Sequence, residues 1–368
     1  MKKKIINLLK NISLLCGTTV VCILILEAVV RIFVSDLPIE PHPKNLYIND
    51  PDIGFVLNPG FSTVIENDIG RAEIRINSQS LRDNRDYGEK AQGTYRILLT
   101  GDSQTFNGAV PLDLTFGKLL EKHLNDKYED VNFEVLNAGV PGYNNGNQLA
   151  FLEKFGKSFD PDMVLLGFYY NDILTNNTGT STIEIRDGYM ISENENLTPF
   201  RLPYPVKRFL RLHSHLYFYV MWKVAVFSRS KVVPWVELFS LSPEKDFSDN
   251  WAITEEYIQK INTWTAENNT ELVLLYIPQK EQIDNSLWSE VSSDGREYDR
   301  HLPNSKMQSF CEDSGIHFLD LYSIFIDRHR EKALYGEIDK HLSWNGNEVA
   351  GKAIFEYLEN KGIIADKK

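Results

Sequence analysis

Tyr95-Arg96-Ile97-Leu98-Leu99-Thr100-Gly101-Asp102-Ser103 decides how this chain reads. The run from Tyr95 to Thr100 is short, largely apolar and closed by glycine, which is the pattern of a buried strand ending in a turn. A strand that turns tightly and opens a helix aims a serine hydroxyl outward, close to backbone N–H groups and the positive end of the helix, where developing negative charge is stabilised. Glycine allows that bend without a Cβ clash. Gly, Asp and Ser are also common turn residues, so Ser103 gains meaning as a nucleophile from what the rest of the chain supplies.

Outward from this stretch, four more apolar runs recur: Phe133 to Leu136, Met163 to Phe168, Leu272 to Ile277 and Ile316 to Leu321. Helical patterns separate them, the signature of parallel βαβ units, so the five runs predict a doubly wound α/β sheet. One helix is predicted over Thr115 to Lys127, with Phe116, Leu119, Leu120 and Leu124 on one face behind a threonine cap. Residues 93–365 hold this domain. Residues 36–92 read as a linker and a small β-rich element: Pro38, Pro41 and Pro43 extend the chain, and Ala72 to Asn77 alternates with the period of a half-buried strand. An insertion over 173–251 is too long for an ordinary crossover and carries an aromatic, basic stretch from Arg201 to Leu241. Within it, Leu216 to Phe227 is too short to span a bilayer and contains Lys223, so it reads as a buried amphipathic helix.

The N-terminus points to a membrane. Lys2, Lys3, Lys4 and Lys10 precede the uncharged stretch Ile12 to Leu26, and apolar character continues to Val34 past Glu27 and Arg31. The uncharged part alone falls short of the ~20 residues that cross a bilayer. Glu27 and Arg31, four apart, can pair on one helix face, and with them residues 1–35 read as a transmembrane anchor. No small-x-small cleavage pair follows, since Leu26 stands two before Ala28 and Phe33 two before Ser35. The lysine-rich end is then expected inside and the bulk of the chain outside the cytoplasm.

Composition narrows the function. Among 368 residues, 39 are basic and 51 acidic, a net charge of −12 that disfavours nucleic acid as a partner. Cys16, Cys22 and Cys311 offer neither a disulfide framework nor metal-ligand spacing, and Cys311 reads as a packed small hydrophobe. Gly346 to Ala353 nearly matches a phosphate-binding loop, but Ala353 cannot ligate Mg²⁺ and the segment has a helical pattern. Gly139, Gly142 and Gly146 miss the dinucleotide spacing. His213 and His215 would point to different faces of a helix. No metal and no organic cofactor is expected.

A serine nucleophile needs a base, a group to orient that base, and donors for the oxyanion. Each has a candidate after a predicted strand. Gly142, in Asn137-Ala138-Gly139-Val140-Pro141-Gly142-Tyr143, can bring a backbone N–H to a substrate oxygen. Asn171, in Tyr169-Tyr170-Asn171-Asp172, has a side-chain amide that can donate where an ionised aspartate cannot. Asp339-Lys340-His341-Leu342-Ser343 supplies an imidazole to take the Ser103 proton and a carboxylate to hold its tautomer.

Together these segments resemble the SGNH or GDSL hydrolase family. Gly101-Asp102-Ser103 is similar to its first block, Gly142 to its second, Asn171 to its third and Asp339 with His341 to its last, in the family's order. The resemblance implies a three-layer, flavodoxin-like α/β/α fold with a five-stranded parallel sheet. It also implies a Ser103, Asp339, His341 triad and an oxyanion hole from the Ser103 and Gly142 amides with the Asn171 side chain. Two positions depart from the pattern: Tyr169 stands where a glycine is usual, and one residue, not two, separates Asp339 from His341, as in alginate-type O-acetyltransferase relatives. The anchor, Asn77 and Leu81-Arg82-Asp83 resemble those of bacterial membrane-anchored members. The function expected is a membrane-anchored, extracytoplasmic serine esterase acting on an O-acyl, chiefly O-acetyl, ester of a small molecule or a cell-envelope glycan, beside polysaccharide machinery. The alternatives are an O-acyltransferase using the same serine and a catalytically silent glycan-binding or assembly protein.

Overall fold

The computed structural model describes residues 2–34, 43–179, 183–186, 188–192 and 235–364, with separate positions between 206 and 223. Pro38 and Pro41 of the expected linker, and most of the aromatic stretch from Arg201, lie outside the described residues. The chain divides into two compact units: Met1–Pro41 with Asn194–Val232, and His42–Glu193 with Val233–Lys368.

In the first unit the N-terminal chain forms α1 (Lys2–Phe33). Its Lys10–Phe33 stretch of 24 residues is, among the described residues, the one helix long and apolar enough to cross a membrane. At 1.5 Å per residue it reaches about 36 Å, and Leu14, Leu15, Leu24 and Ile25 are exposed along it. Glu27 and Arg31 pair at 2.7 Å, as their spacing predicts. Glu27 also accepts from Ser214 Oγ at 2.7 Å and from the His215 and Leu216 N–H groups at 2.9 and 3.0 Å, while Arg31 donates to His213 O at 2.7 Å. Of the helix expected over Leu216 to Phe227, positions 216, 217, 219–221 and 223 are helical and the others lie outside the described residues.

The second unit begins with two antiparallel pairs. β1 (Tyr47–Asp50) pairs with β2 (Gly54–Leu57), and β3 (Ser62–Glu66) with β4 (Arg71–Arg75). In β4 the expected alternation is plain: Ala72 and Ile74 are buried between exposed Arg71, Glu73 and Arg75. The decisive stretch follows as β5 (Thr94–Gly101), then the single turn α2 (Ser103–Phe106), α3 (Phe116–Lys127), β6 (Asn132–Gly139), α4 (Asn145–Phe155), β7 (Met163–Phe168) and α5 (Tyr170–Thr175). A hairpin, β8 (Ile183–Arg186) with β9 (Tyr189–Ser192), opens the insertion. After it come α6 (Ser248–Glu267), β10 (Glu271–Tyr276), α7 (Lys280–Ile283), α8 (Asn285–Val291), α9 (Leu302–Asp313), β11 (His317–Asp320), α10 (Tyr322–His329) and α11 (Trp344–Asn360).

Strands β5, β6, β7, β10 and β11 form one parallel sheet in the order β11-β10-β7-β5-β6. Both faces are covered, which is why these strands read as continuous apolar runs. On one face Leu98, Leu136, Leu166 and Leu274 pack with Phe151, Ile258 and Met307 from α4, α6 and α9. On the other, Ile97, Leu99, Val135 and Val273 pack with Leu120, Phe325 and Ile354 from α3, α10 and α11. The result is a three-layer α/β/α domain of flavodoxin-like strand order. Cys311 is fully buried in the first layer, and burial pushes its thiol up to about 12.

One local expectation fails. The Thr115 side chain does not cap α3; its hydroxyl donates to Leu112 O at 2.7 Å. The Phe116 N–H is taken by Asn347 Oδ1 of α11 at 2.9 Å, so a helix-start donor is used to tie two helices together.

Candidate active site

The chain leaves β5 toward β6 on one side and returns to β7 on the other, so the C-terminal ends of these three strands form the switch point where doubly wound sheets bind ligands. Ser103, Gly142 and Asn171 all lie just beyond those ends. Gly101 and Gly139 are register partners, and Thr100 pairs with Leu166 of β7.

Ser103 begins α2, whose N-cap is Asp102. Asp102 Oδ1 accepts the Gln104 N–H at 2.8 Å, and Oδ2 accepts from Asn171 Nδ2 at 3.0 Å. With only four residues, α2 contributes little macrodipole; what it offers at Ser103 is a backbone N–H with no acceptor among the described residues. The turn is seated on glycines. A Cβ at Gly139 would lie 2.7 Å from the Phe106 nitrogen and 2.8 Å from Thr105 Cβ, so only glycine lets α2 approach β6 this closely. Arg82 braces the other end: its fully buried guanidinium donates to the carbonyls of Phe106, Asn107 and Val110.

Gly142 has φ +86° and is exposed, and its N–H also has no acceptor among the described residues. A Cβ there would stand 2.6 Å from Ile183 Cδ1 of β8. Its loop is held by Tyr143 Oη donating to Phe55 O at 2.6 Å and Asn147 Nδ2 to Ile53 O at 2.7 Å, both acceptors lying on the β1–β2 segment.

Asn171 has one amide proton engaged with Asp102, which leaves the other for a ligand. Its neighbour Asp172 is fully buried and accepts only the Tyr169 N–H, at 3.2 Å, with Oδ1 unpartnered. Burial, and then the nearby Asp102 charge, push the Asp172 carboxyl well above the carboxylate range. Tyr169, at the expected glycine position, is buried in the α3 and α11 layer with its ring edge-on to Tyr170.

Asp339 and His341 sit on the loop between Tyr335 and Leu342, which are bridged to each other. His341 Nδ1 is hydrogen-bonded to Asp339 Oδ1, and the His341 N–H donates to the same oxygen at 3.2 Å. The second oxygen accepts from Asn67 Nδ2. Burial pushes the Asp339 carboxyl up, but the His341 hydrogen bond and charge and the Asn67 amide hold it below its ordinary range. For His341 burial works against the imidazolium; the Asp339 contact and the charges of Asp339, Asp102 and Asp68 outweigh it and raise the pKa above its ordinary value.

Gln104 connects the two halves. Its Nε2 donates to Lys340 O at 3.0 Å and its Oε1 accepts the Leu342 N–H at 3.2 Å, so the residue after Ser103 grips the backbone on both sides of His341. No hydrogen bond joins Ser103 Oγ to His341 Nε2 among the described residues; such bonds commonly tighten only with substrate in place. Gln104, Asn67, Asp68, Arg82 and Asp172 were not singled out as site residues from sequence. Arg82 stood within a noted motif, whereas a buried glutamine and a hairpin-turn asparagine carry no signal of their own.

No protein-family model matches this chain, and no curated protein matches it. Solved structures similar to it include an alpha/beta hydrolase enzyme from the metagenome of Lake Arreo, Spain, at 13% identity and TM-score 0.42 over 74% of this chain and 97% of the other. A lipase/acylhydrolase from Enterococcus faecalis stands at 17% identity and TM-score 0.41 over 73% and 96%. A variant of an acetyl xylan esterase from Geobacillus stearothermophilus stands at 14% identity and TM-score 0.42 over 74% and 96%. At these identities the function is read from the chain's own site.

Proposed function

We propose that this protein is a serine ester hydrolase in which Ser103 attacks an O-acyl ester, His341 takes the serine proton as general base, and Asp339 holds the imidazole. The observation that supports this most is the Gln104 side chain, which hydrogen-bonds to the backbone on both sides of His341 from the position next to Ser103. Attack forms a tetrahedral intermediate whose oxyanion takes hydrogen bonds from the Ser103 and Gly142 N–H groups and the free Asn171 amide proton. His341 then gives its proton to the leaving alcohol, and water, activated by the same imidazole, hydrolyses the acyl-enzyme. General-base action of this kind is worth roughly 10² to 10⁴ in rate.

The substrate class is an O-acetyl ester on a cell-envelope carbohydrate. The α1 helix anchors the enzyme in a membrane with the catalytic domain outside the cytoplasm. Full-length protein in detergent is assayed with p-nitrophenyl acetate, with and without an acetyl-accepting oligosaccharide. The expected result is acetate release that does not require the acceptor and falls by about 10³-fold or more in Ser103→Ala. Acetyl transfer in place of release identifies an acyltransferase, and turnover equal in Ser103→Ala refutes the serine mechanism.

A further inference from the structure

The turn of the β3–β4 hairpin, in the segment read as a linker and small β-rich element, stands about 270 residues before the loop that carries the acid and the base, yet it meets that loop. Asn67 N–H donates to Gly70 O at 3.0 Å, closing the turn, and Asn67 Oδ1 accepts the Ile69 N–H at 2.9 Å. With its oxygen fixed that way, the amide has only Nδ2 to present, and Nδ2 donates to Asp339 Oδ2. The next residue grips the backbone: Asp68 Oδ2 accepts the Ile338 N–H at 2.8 Å and Oδ1 the Asp339 N–H at 3.0 Å. One carboxylate oxygen of Asp339 thus faces Asn67 and the other faces His341.

We propose that Asn67 and Asp68 are positioning residues for the acid–base pair, so that the hairpin turn completes the catalytic machinery from outside the hydrolase sheet. The inference rests on the serine hydrolase reading. Asn67 fixes the rotation of the Asp339 carboxylate and withdraws part of its charge, and Asp68 fixes the loop backbone while adding a negative charge near the ring. The two residues therefore act on the imidazole with opposite sign. The titratable groups around His341 are Asp339 on its own loop, Asp102 at the start of α2 with buried Asp172 behind it, Asp68 on the hairpin, and Lys340, whose ammonium is paired with Glu281.

Removing the Asn67 donor leaves Asp339 a stronger partner for the imidazolium, so neutral His341 appears only at higher pH. Removing the Asp68 charge lets it appear at lower pH. The test is the pH dependence of p-nitrophenyl acetate kcat/KM, and of the labelling rate by a fluorophosphonate, for full-length wild type, Asn67→Ala and Asp68→Asn. The expected result is that the acidic limb moves up in Asn67→Ala and down in Asp68→Asn. Both variants should lose about tenfold in kcat with little change in KM, the effect of one hydrogen bond to a charged group. Limbs that coincide with wild type, whatever happens to stability, overturn the inference while leaving the serine hydrolase intact. Should Asn67→Ala fail to fold, the downward shift in Asp68→Asn decides alone. A wild type that reacts with neither probe overturns the hydrolase reading and this inference with it.

Discussion

Gln104 uses both ends of its amide on the stretch of chain that carries His341, and so converts the fixed position of α2 into a fixed position for that imidazole. A truncation to alanine removes one donor and one acceptor from backbone groups that are then left unpaired. Gln104→Ala is expected to lower kcat by about 10- to 100-fold with KM nearly unchanged, since a small displacement of a base costs rate more than binding. Steady-state kinetics on p-nitrophenyl acetate with a thermal melt checks this; unaltered kcat would show that the clamp is dispensable. The charge around the ring gives a second expectation at this scale. In the proposed mechanism His341 acts only when neutral, and its raised pKa means that the neutral form fills in above the ordinary histidine value of 6.5. The acidic limb of kcat/KM should therefore have its midpoint above pH 6.5 and activity should rise through it; a midpoint below that value would contradict the electrostatics assigned to Asp339, Asp102 and Asp68. The Gln104 contacts were not legible in the sequence, where Gln104 is one more polar residue after a serine.

α2 illustrates what a sequence can and cannot disclose about an element. The five strands were legible because burial on both faces makes them continuous apolar runs, and β5 and β7 fall within a residue of the expected limits. The single turn of α2 is too short for any helical period, and its support comes from distant places: glycine on β6, and Arg82 beneath the carbonyls at its C-terminal end. The hairpin turn at residues 67–70 was illegible for the same reason, because Asp68 and Ile338 stand 270 residues apart. The Thr115 cap failed because its hydroxyl donates back to Leu112 O in the preceding turn. Arg82→Met keeps the packing volume but strands the buried carbonyls of Phe106 and Val110, while Asn107 O keeps the Val110 N–H. It should destabilise the domain by about 3 kcal/mol or more, and serine labelling should slow even in the fraction that stays folded. Chemical denaturation paired with labelling rates checks both; a variant of native stability would mean that water satisfies those carbonyls.

For the whole molecule, the segment before the sheet does more than connect. β1 and β2 hold the Gly142 loop through Phe55 and Ile53, Arg82 holds α2, and the β3–β4 turn holds the Asp339 loop. The prolines and the alternation over 72–77 mark residues 36–92 as a linker and small β-rich element, and residues from His42 onward share one compact unit with the sheet. The apolar, exposed surface of α1 leads to an expectation at the same scale. Protein carrying a C-terminal tag should stay with membranes through a high-salt, alkaline wash, and the tag should be open to protease added outside intact cells or spheroplasts. Release without detergent, or a protected tag, would contradict the anchored, outward-facing arrangement. Labelling of the full-length protein with a fluorophosphonate reads activation of Ser103 by His341 across the end of the sheet. Wild type should label, the signal should disappear in Ser103→Ala, and labelling should slow by several orders of magnitude in His341→Ala; labelling that persists in either variant at the wild-type rate would rule out this activation.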